Sequence, residues 1–451
     1  MQVRGLLVAV VLLAAVGGGY WWSEKAEKAK EGKPSKDAAP KIVEIPEDQI
    51  QQITINRSTG ESSTVVKKND AGKWVLTAPK PLPVDQDSAK SMLSTLSSLN
   101  SDRLVEEKAT DGTQYGLAKP VTEVIVAKKD GKSVKLYFGD ETPTGTAAFA
   151  KIDGDPRVFT VASFSKTSID KSSKDLRDKR LLTFDSDKLS RVELAGKGQP
   201  VEFGKNAKNE WTILKPKPLR ADNFQVEELV RKLKDAKMDT SVSDEDAKKF
   251  ASGFGAGTKV ATAKVTDASG TQEIEVRKDK DKNYYAKSSV VEGIHKVAGD
   301  IGDGLDKGLD DFRNKKLFEF GFNDPNKIEV KDGAKLYSFA KSGDKWMAGG
   351  KQMDSTGVQS LIDKLRDLSS IKFLDTAAGA PLLELTVVSG DGKNTEKVIV
   401  TKQANSYHAR RENEPAVYEL DGKVVEEIQK TAADVKEFQP PKDQKKDAQK
   451  K

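Results

Sequence analysis

Only two histidines occur in the 451 residues, His295 and His408, and there is no cysteine. Any chemistry here must be built from those two imidazoles, 70 acidic and 76 basic side chains, and hydroxyls. The lack of cysteine removes disulfides, thiolate metal ligands, thiol nucleophiles and lipid attachment through a cysteine. A Ser-His-Asp triad needs an imidazole beside both partners. The two histidines belong to different segments, and His408 aligns with Phe149, a packing or strand position. Zinc chemistry lacks enough nitrogen or sulfur ligands. Glycosidic cleavage by paired carboxylates needs an acid held in an apolar setting, and no acidic residue stands in one. The run Asp300, Asp303, Asp306, Asp310 and Asp311 suggests calcium at first sight. It lacks D-x-[DN]-x-[DN]-G and a glutamate at the twelfth place, and its spacing is that of a polar helix face. Gly253-Phe-Gly-Ala-Gly257 has no G-K-[ST] and reads as a loop. No catalytic, cofactor-binding or metal-binding residue is assigned, and no cofactor is expected. The net charge of +6 is small and its signs interleave, so no broad basic face awaits a nucleic acid.

The elements that would hold any site come in triplicate. Residues 42–55 (IVEIPEDQIQQITI), 181–194 (LLTFDSDKLSRVEL) and 317–330 (LFEFGFNDPNKIEV) carry apolar residues at the same places and end in period-two runs. Those runs predict half-buried strands. Further on stand Trp74, Trp211 and Trp346, then Asp85, Asp222 and Asp354. After each aspartate, apolar residues fall at helical spacing: Leu93, Leu96 and Leu99; Leu229, Leu233 and Ala236; Leu361, Leu365 and Leu368. Each aspartate is expected to cap a helix and each tryptophan to pack in a core; a saccharide platform is the alternative for the tryptophans. Strand pairs follow around Lys129-Asp-Gly-Lys132, Asp267-Ala-Ser-Gly270 and Gly390-Asp-Gly-Lys393, which are hairpin turns in type. A second helical stretch closes the copies, at 299–312 in the second and 422–438 in the third. The aligned pairs Arg177/Lys179 and Arg313/Lys315 could form ion pairs at module junctions or stay exposed.

This predicts an α+β protein of three tandem modules, each of antiparallel strands packed with one or two helices, over residues 42–180, 181–316 and 317–438. Ahead of them, residues 5–22 (GLLVAVVLLAAVGGGYWW) carry no charge and end in an aromatic belt. Residues 1–22 are therefore read as a single-pass signal anchor, with a cleaved signal peptide as the competing reading. Residues 23–41 form a charged linker, and 439–451 a Lys-rich tail expected to be disordered. Lysines directly after the apolar run would by themselves hold the bulk of the chain in the cytoplasm. The short N-terminal tail argues for export.

Trp74-x-Leu-x-x-Pro79, the helix start at Asp85, Tyr115-Gly-Leu-x-x-Pro120, and Leu176-Arg-Asp-Lys-x-Leu181 with Phe184-Asp185 carry a family resemblance. The chain resembles the bacterial domain-of-unknown-function family numbered forty-three forty, best over residues 42–195 and more weakly to about 438. The resemblance implies one N-terminal transmembrane helix, a periplasmic repeat region, and genes beside ABC transporter components of the gliding-motility type. It defines no catalytic residue, and the second and third copies lack the Tyr-Gly-Leu-x-x-Pro element. The expected protein is thus a non-catalytic envelope scaffold or ABC transporter auxiliary component in the cytoplasmic (inner) membrane, with its C-terminal bulk outside the cytoplasm. Its expected partners are the membrane, through residues 5–22, and other membrane proteins such as transporter subunits. Binding of envelope polysaccharide or peptidoglycan in a cleft between modules is the alternative, and an envelope hydrolase a second one.

Overall fold

The structure is a computed structural model that describes residues 40–242, 244–321 and 325–439. The apolar run at 5–22, most of the linker and the tail after 439 lie outside the described residues. Among the described residues no helix is long and apolar enough to cross a membrane. The described chain forms two compact units, one ending at Lys179 and one beginning at Arg180.

The first unit is built on nine strands: β1 (Ile50–Arg57), β2 (Thr64–Lys68), β3 (Trp74–Ala78), β4 (Leu82–Pro83), β5 (Arg103–Glu106), β6 (Thr122–Lys128), β7 (Ser133–Glu141), β8 (Ala147–Ile152) and β9 (Val158–Ala162). Their order across the sheet is β4-β3-β2-β1-β6-β7-β8-β9-β5, and all pairings are antiparallel. The helix Gln86–Ser97 leaves β4 at one edge and delivers the chain to β5 at the other, so it must cross a face of the sheet. Its buried residues Ala89, Met92, Leu93 and Leu96 share one side at helical spacing. Alternation along the strands turns Ile53, Ile55, Val124, Val126, Leu136 and Phe138 into a core with them.

The second unit repeats this plan twice. Strands β10 (Arg191–Ala195), β11 (Val201–Lys205), β12 (Trp211–Lys215), β13 (Leu219–Arg220), β14 (Thr258–Asp267), β15 (Gly270–Lys278), β16 (Tyr284–Ser288) and β17 (Ile294–Val297) form the sheet β13-β12-β11-β10-β14-β15-β16-β17. The counterpart of β5 shrinks to a single bridge, Met238 to Val297. The next sheet has β18 (Lys327–Asp332), β19 (Lys335–Ser342), β20 (Lys345–Ala348), β21 (Lys351–Gln352), β22 (Lys372–Leu374), β23 (Ala380–Ser389), β24 (Asn394–Gln403), β25 (Ser406–Arg411) and β26 (Val417–Leu420). Its order, β21-β20-β19-β18-β23-β24-β25-β26-β22, restores the nine-stranded pattern. One hydrophobic core runs through both modules of this unit, from Leu181 to Ala432.

Each long helix starts on the aspartate expected to cap it. Asp85 accepts from Ser88 N at 2.9 Å, Asp222 from Gln225 N at 3.2 Å, and Asp354 from Gly357 N at 3.0 Å. Each bond satisfies one amide that the first helical turn leaves unpaired. Asp222→Ala is therefore expected to lower the stability of the second unit by about 1 kcal/mol in urea titrations, whereas Asp222→Asn, which keeps the acceptor, should stay near the parent. Equal losses in both variants would show that the cap bond is not what the aspartate contributes.

The module ends are also alike. The chain returns to the cap and pairs beside it: Asp85 N to Leu176 O and Asp178 N to Pro83 O, both 2.9 Å. The same closure is made by Asp222 N to Phe312 O (2.8 Å) and Asn314 N to Arg220 O (3.0 Å). In the third module it is made by Asp354 N to Lys436 O (2.8 Å) and Phe438 N to Gln352 O (2.9 Å).

Two local expectations are corrected. The stretch 299–312 is two helices, Gly299–Leu305 and Leu309–Phe312, with an extended residue at Gly308. Lys197 N donates to Lys307 O at 3.0 Å, and a Cβ on Gly308 would lie 2.8 Å from Lys197 O. The chain is thus drawn against the β10–β11 turn at a spot only glycine fits. The glycine-rich 253–257 segment is not a loop: it belongs mostly to the helix Phe250–Ala256. Gly253 lies flat on the Tyr285 ring, where a Cβ would come within 2.8 Å, and Phe250 packs on the same ring at 5.7 Å.

Candidate functional site

The residues singled out for chemistry have structural partners, save Asp306, whose backbone N donates to Gly302 O at 3.0 Å while its carboxylate makes no hydrogen bond or ion pair among the described residues. His408 is 9% exposed on β25, and its Nδ1 accepts from Ala378 N at 3.1 Å. His295, on β17, has Nε2 3.0 Å from the Glu292 carbonyl. In the acidic run, Asp300 pairs with Lys232 at 2.6 Å, Asp303 accepts from the Tyr284 hydroxyl at 2.5 Å, and Asp310 pairs with Arg313 at 3.1 Å. Asp311 accepts from Gly308 N at 2.8 Å. Among the described residues no group of three or more His, Asp or Glu is placed to hold a metal ion.

The three tryptophans are buried: Trp74 is 6%, Trp211 3% and Trp346 5% exposed. Each lies beneath a lysine of the strand before it, Lys68, Lys205 or Lys341, with the ammonium 5.3, 5.0 and 6.0 Å from the ring centroid. In the first two modules the residue after the cap holds the tryptophan backbone: Trp74 N donates to Gln86 Oε1 at 3.0 Å and Trp211 N to Asn223 Oδ1 at 2.7 Å. Burial and a cation over the ring leave little open face for a sugar to stack upon.

The basic residues expected at module junctions part company. Arg177 is half-buried, and burial lowers its guanidinium pKa from the usual value. Arg313, its counterpart, is 8% exposed and stacks on the Phe373 ring of the third module at 3.6 Å. Arg313 thus ties the second module to the third through an aromatic face, while its carboxylate partner, Asp310, is local. Arg177, Lys179 and Lys315 make no ion pair among the described residues; Lys179 is half-buried and Lys315 exposed.

A denser junction forms around Arg220, at the end of β13. Its Nη1 lies 2.6 Å from Glu319, its Nε 3.0 Å from Glu414, and its Nη2 donates to Lys316 O at 2.5 Å and to the Tyr418 hydroxyl at 3.1 Å. Glu414 is shared with Arg411 at 2.8 Å, and Arg411 also holds Glu396 at 3.0 Å and the Leu317 carbonyl at 2.8 Å. Glu396 in turn accepts from Glu319 N at 2.9 Å. Burial opposes the charge on Arg220, but Tyr418, Glu319 and Glu414 together outweigh it and raise its pKa. The Tyr418 phenol, 1% exposed, is pushed above its usual range, by burial first and by Glu414 in addition.

Beside this network lies a cleft of about 600 Å³. One wall is the β11–β12 turn of the second module, the other the β23–β24 turn of the third, and Arg220, Ala221, Glu319 and Phe320 border it between them. Neither Arg220 nor its partners could be picked from the repeat, because Arg220 stands where the first module has Pro83. The sequence signal available was an arginine in a two-residue edge strand, which is weak.

Three antiparallel sheets, each crossed by a capped helix over a buried tryptophan, define an α+β tandem-repeat protein. The chain belongs to the family described as "Domain of unknown function (DUF4340)", whose pattern matches residues 74–218 and again 211–386. Each match runs from the tryptophan of one module into the next, so the family unit is offset from the folded sheet and two matches cover parts of three modules. No curated protein matches the chain.

Proposed function

We propose that this chain is a non-catalytic scaffold of the bacterial envelope, anchored in the cytoplasmic membrane by residues 5–22 and auxiliary to an ABC-type transport system. The observation that carries the reading is the use made of the reactive side chains. The histidines, four of the five aspartates of the acidic run, and the repeated tryptophans and aspartates are engaged in caps, strand contacts and ion pairs that build the fold. A catalytic group needs the opposite, a tuned ionisation aimed into a pocket. Repetition of one module suits a surface that docks partners. The uncharged 5–22 run with its YWW end supports the anchor, and the family resemblance supports the transporter association.

In spheroplasts of a producing bacterium, added protease is expected to digest everything beyond residue 41, and cross-linking before mild solubilisation is expected to enrich permease subunits of an ABC transporter. Protection until lysis would invert the topology. Cross-links confined to proteins unrelated to transport would overturn the transporter association.

A further inference from the structure

We propose that the cleft between the second and third modules binds a short saccharide carrying carboxylate groups. The proposal rests on the cleft alone and does not depend on the anchor or on a transporter partner.

The first argument is an unanswered polar group. Ser389 ends β23, lines the cleft and is only 4% exposed, yet its hydroxyl has no hydrogen-bond partner among the described residues. Its counterpart at the end of β14 is Asp267, which is fully employed: it accepts from Asp185 N at 2.7 Å and from Ser269 N at 2.8 Å. The residue is buried but its hydroxyl keeps access to the cleft, so a ligand or water there can complete it.

The second argument is charge. Arg220, Glu319 and Glu396 border the cleft but satisfy one another and their neighbours. Lys208 on one wall and Lys393 on the other are exposed, and neither ammonium has a partner among the described residues. Glu210, also at the cleft, is exposed and held only by the Asn206 amide at 2.9 Å, so two lysines, one on each wall, face a single carboxylate and the charge left over for a ligand is positive by one. Around it stand amides able to donate and accept. Asn394 lies on one wall, and Asn223, on the other side, uses its oxygen on Trp211 N while its NH2 has no partner among the described residues. Alternating hydroxyls of a sugar meet such mixed groups well, and carboxylates meet the lysines through charge-assisted bonds. An acidic peptide would also satisfy the lysines, but it needs apolar side-chain pockets or an open sheet edge, and the cleft walls are polar turns.

The third argument is rigidity. The walls belong to different modules, and the Arg220–Glu414–Arg411–Glu396 chain beside them links those modules, so a ligand meets a site already assembled. The volume is within the usual range for a ligand site, and a junction between modules is where such sites gather.

The test is calorimetric titration of the detergent-solubilised full chain with trigalacturonate, with maltotriose as the uncharged control and a tri-glutamate peptide as the acidic one. Trigalacturonate is expected to bind saturably and the two controls to bind at least about tenfold more weakly, the factor that one charge-assisted contact supplies. Lys208→Ala with Lys393→Ala, both on exposed turns, is expected to weaken trigalacturonate by at least about tenfold with an unchanged circular dichroism spectrum. Ser389→Ala should weaken it as well. Absence of saturable binding, undiminished binding in the lysine double variant, or tri-glutamate binding as tightly as trigalacturonate would each overturn the proposal. The protease result in spheroplasts is unaffected by any of these, so the two readings fail separately.

Discussion

Trp211→Ala is expected to lower the stability of the second unit by about 3–5 kcal/mol, the usual cost of emptying a core of a large aromatic side chain. It is also expected to loosen the second and third modules in one step. Trp211 is 3% exposed, its Nε1 donates to Glu227 on the overlying helix at 2.5 Å, and Lys205 covers its ring. Truncation would leave a cavity beneath the helix Asn223–Lys234 and strip Glu227 of its donor. The shared melting follows from the core: apolar residues run without interruption from the sheet around Val192 to the sheet around Ile328. Trp346→Ala should therefore give the same single transition, whereas Trp74→Ala acts on the separate core of the first unit. Urea unfolding followed by circular dichroism would check this. Two resolved transitions within the second unit would show that its modules are energetically independent. Parental stability after the substitution would return Trp211 to the surface-platform reading.

The parts of this fold that could be read beforehand are those governed by short-range rules. A cap bond spans three residues, so Asp85, Asp222 and Asp354 announce themselves beside an apolar period of three to four. Strand alternation at Ile53/Ile55, Val192/Leu194 and Ile328/Val330 is equally local, and all six residues are fully or nearly fully buried. The break at Gly308 was hidden because it is imposed from outside the helix, by Lys197 more than a hundred residues earlier. The helix at 250–256 was hidden because glycine's low helix propensity is overridden by packing on Tyr285. The aligned arginines Arg177 and Arg313 were visible as a pair, but alignment carries no information about what surrounds each copy. One arginine stacks on Phe373; the other is half-buried without an ion pair among the described residues. Asn223, Ser389, Lys208 and Lys393 draw their interest only from the cleft that brings two modules' turns together.

Arg220 is the extreme case, with partners 99 and 194 positions away, and its removal should be the most damaging charge substitution in the second unit. The guanidinium is 18% exposed and answers two carboxylates, a carbonyl and a phenol. Arg220→Met keeps the aliphatic bulk but leaves Glu414 and Glu319 without their shared cation. Breaking a fully buried pair costs about 3–5 kcal/mol; allowing for partial exposure, about 2–4 kcal/mol is expected. Arg220→Lys should recover only part of it, because an ammonium cannot reproduce the fork that spans separate acceptors. Adding Glu414→Gln to Arg220→Met should cost less than the sum of the single changes, since the carboxylate that has lost one of its two arginines is then neutral. A loss under about 1 kcal/mol for Arg220→Met would mean the network behaves as an exposed surface cluster. Tyr418 supplies a second readout. Its folded-state pKa is raised, by burial first, with Arg220 opposing and Glu414 assisting. A raised acid favours the folded state below the unfolded tyrosine value of about 10 and loses that advantage as pH climbs through the folded value. Without Arg220 the opposing influence is gone and the folded pKa rises further. Alkaline destabilisation above about pH 10 should therefore be steeper in Arg220→Met than in the parent, and Tyr418→Phe should remove the difference between them.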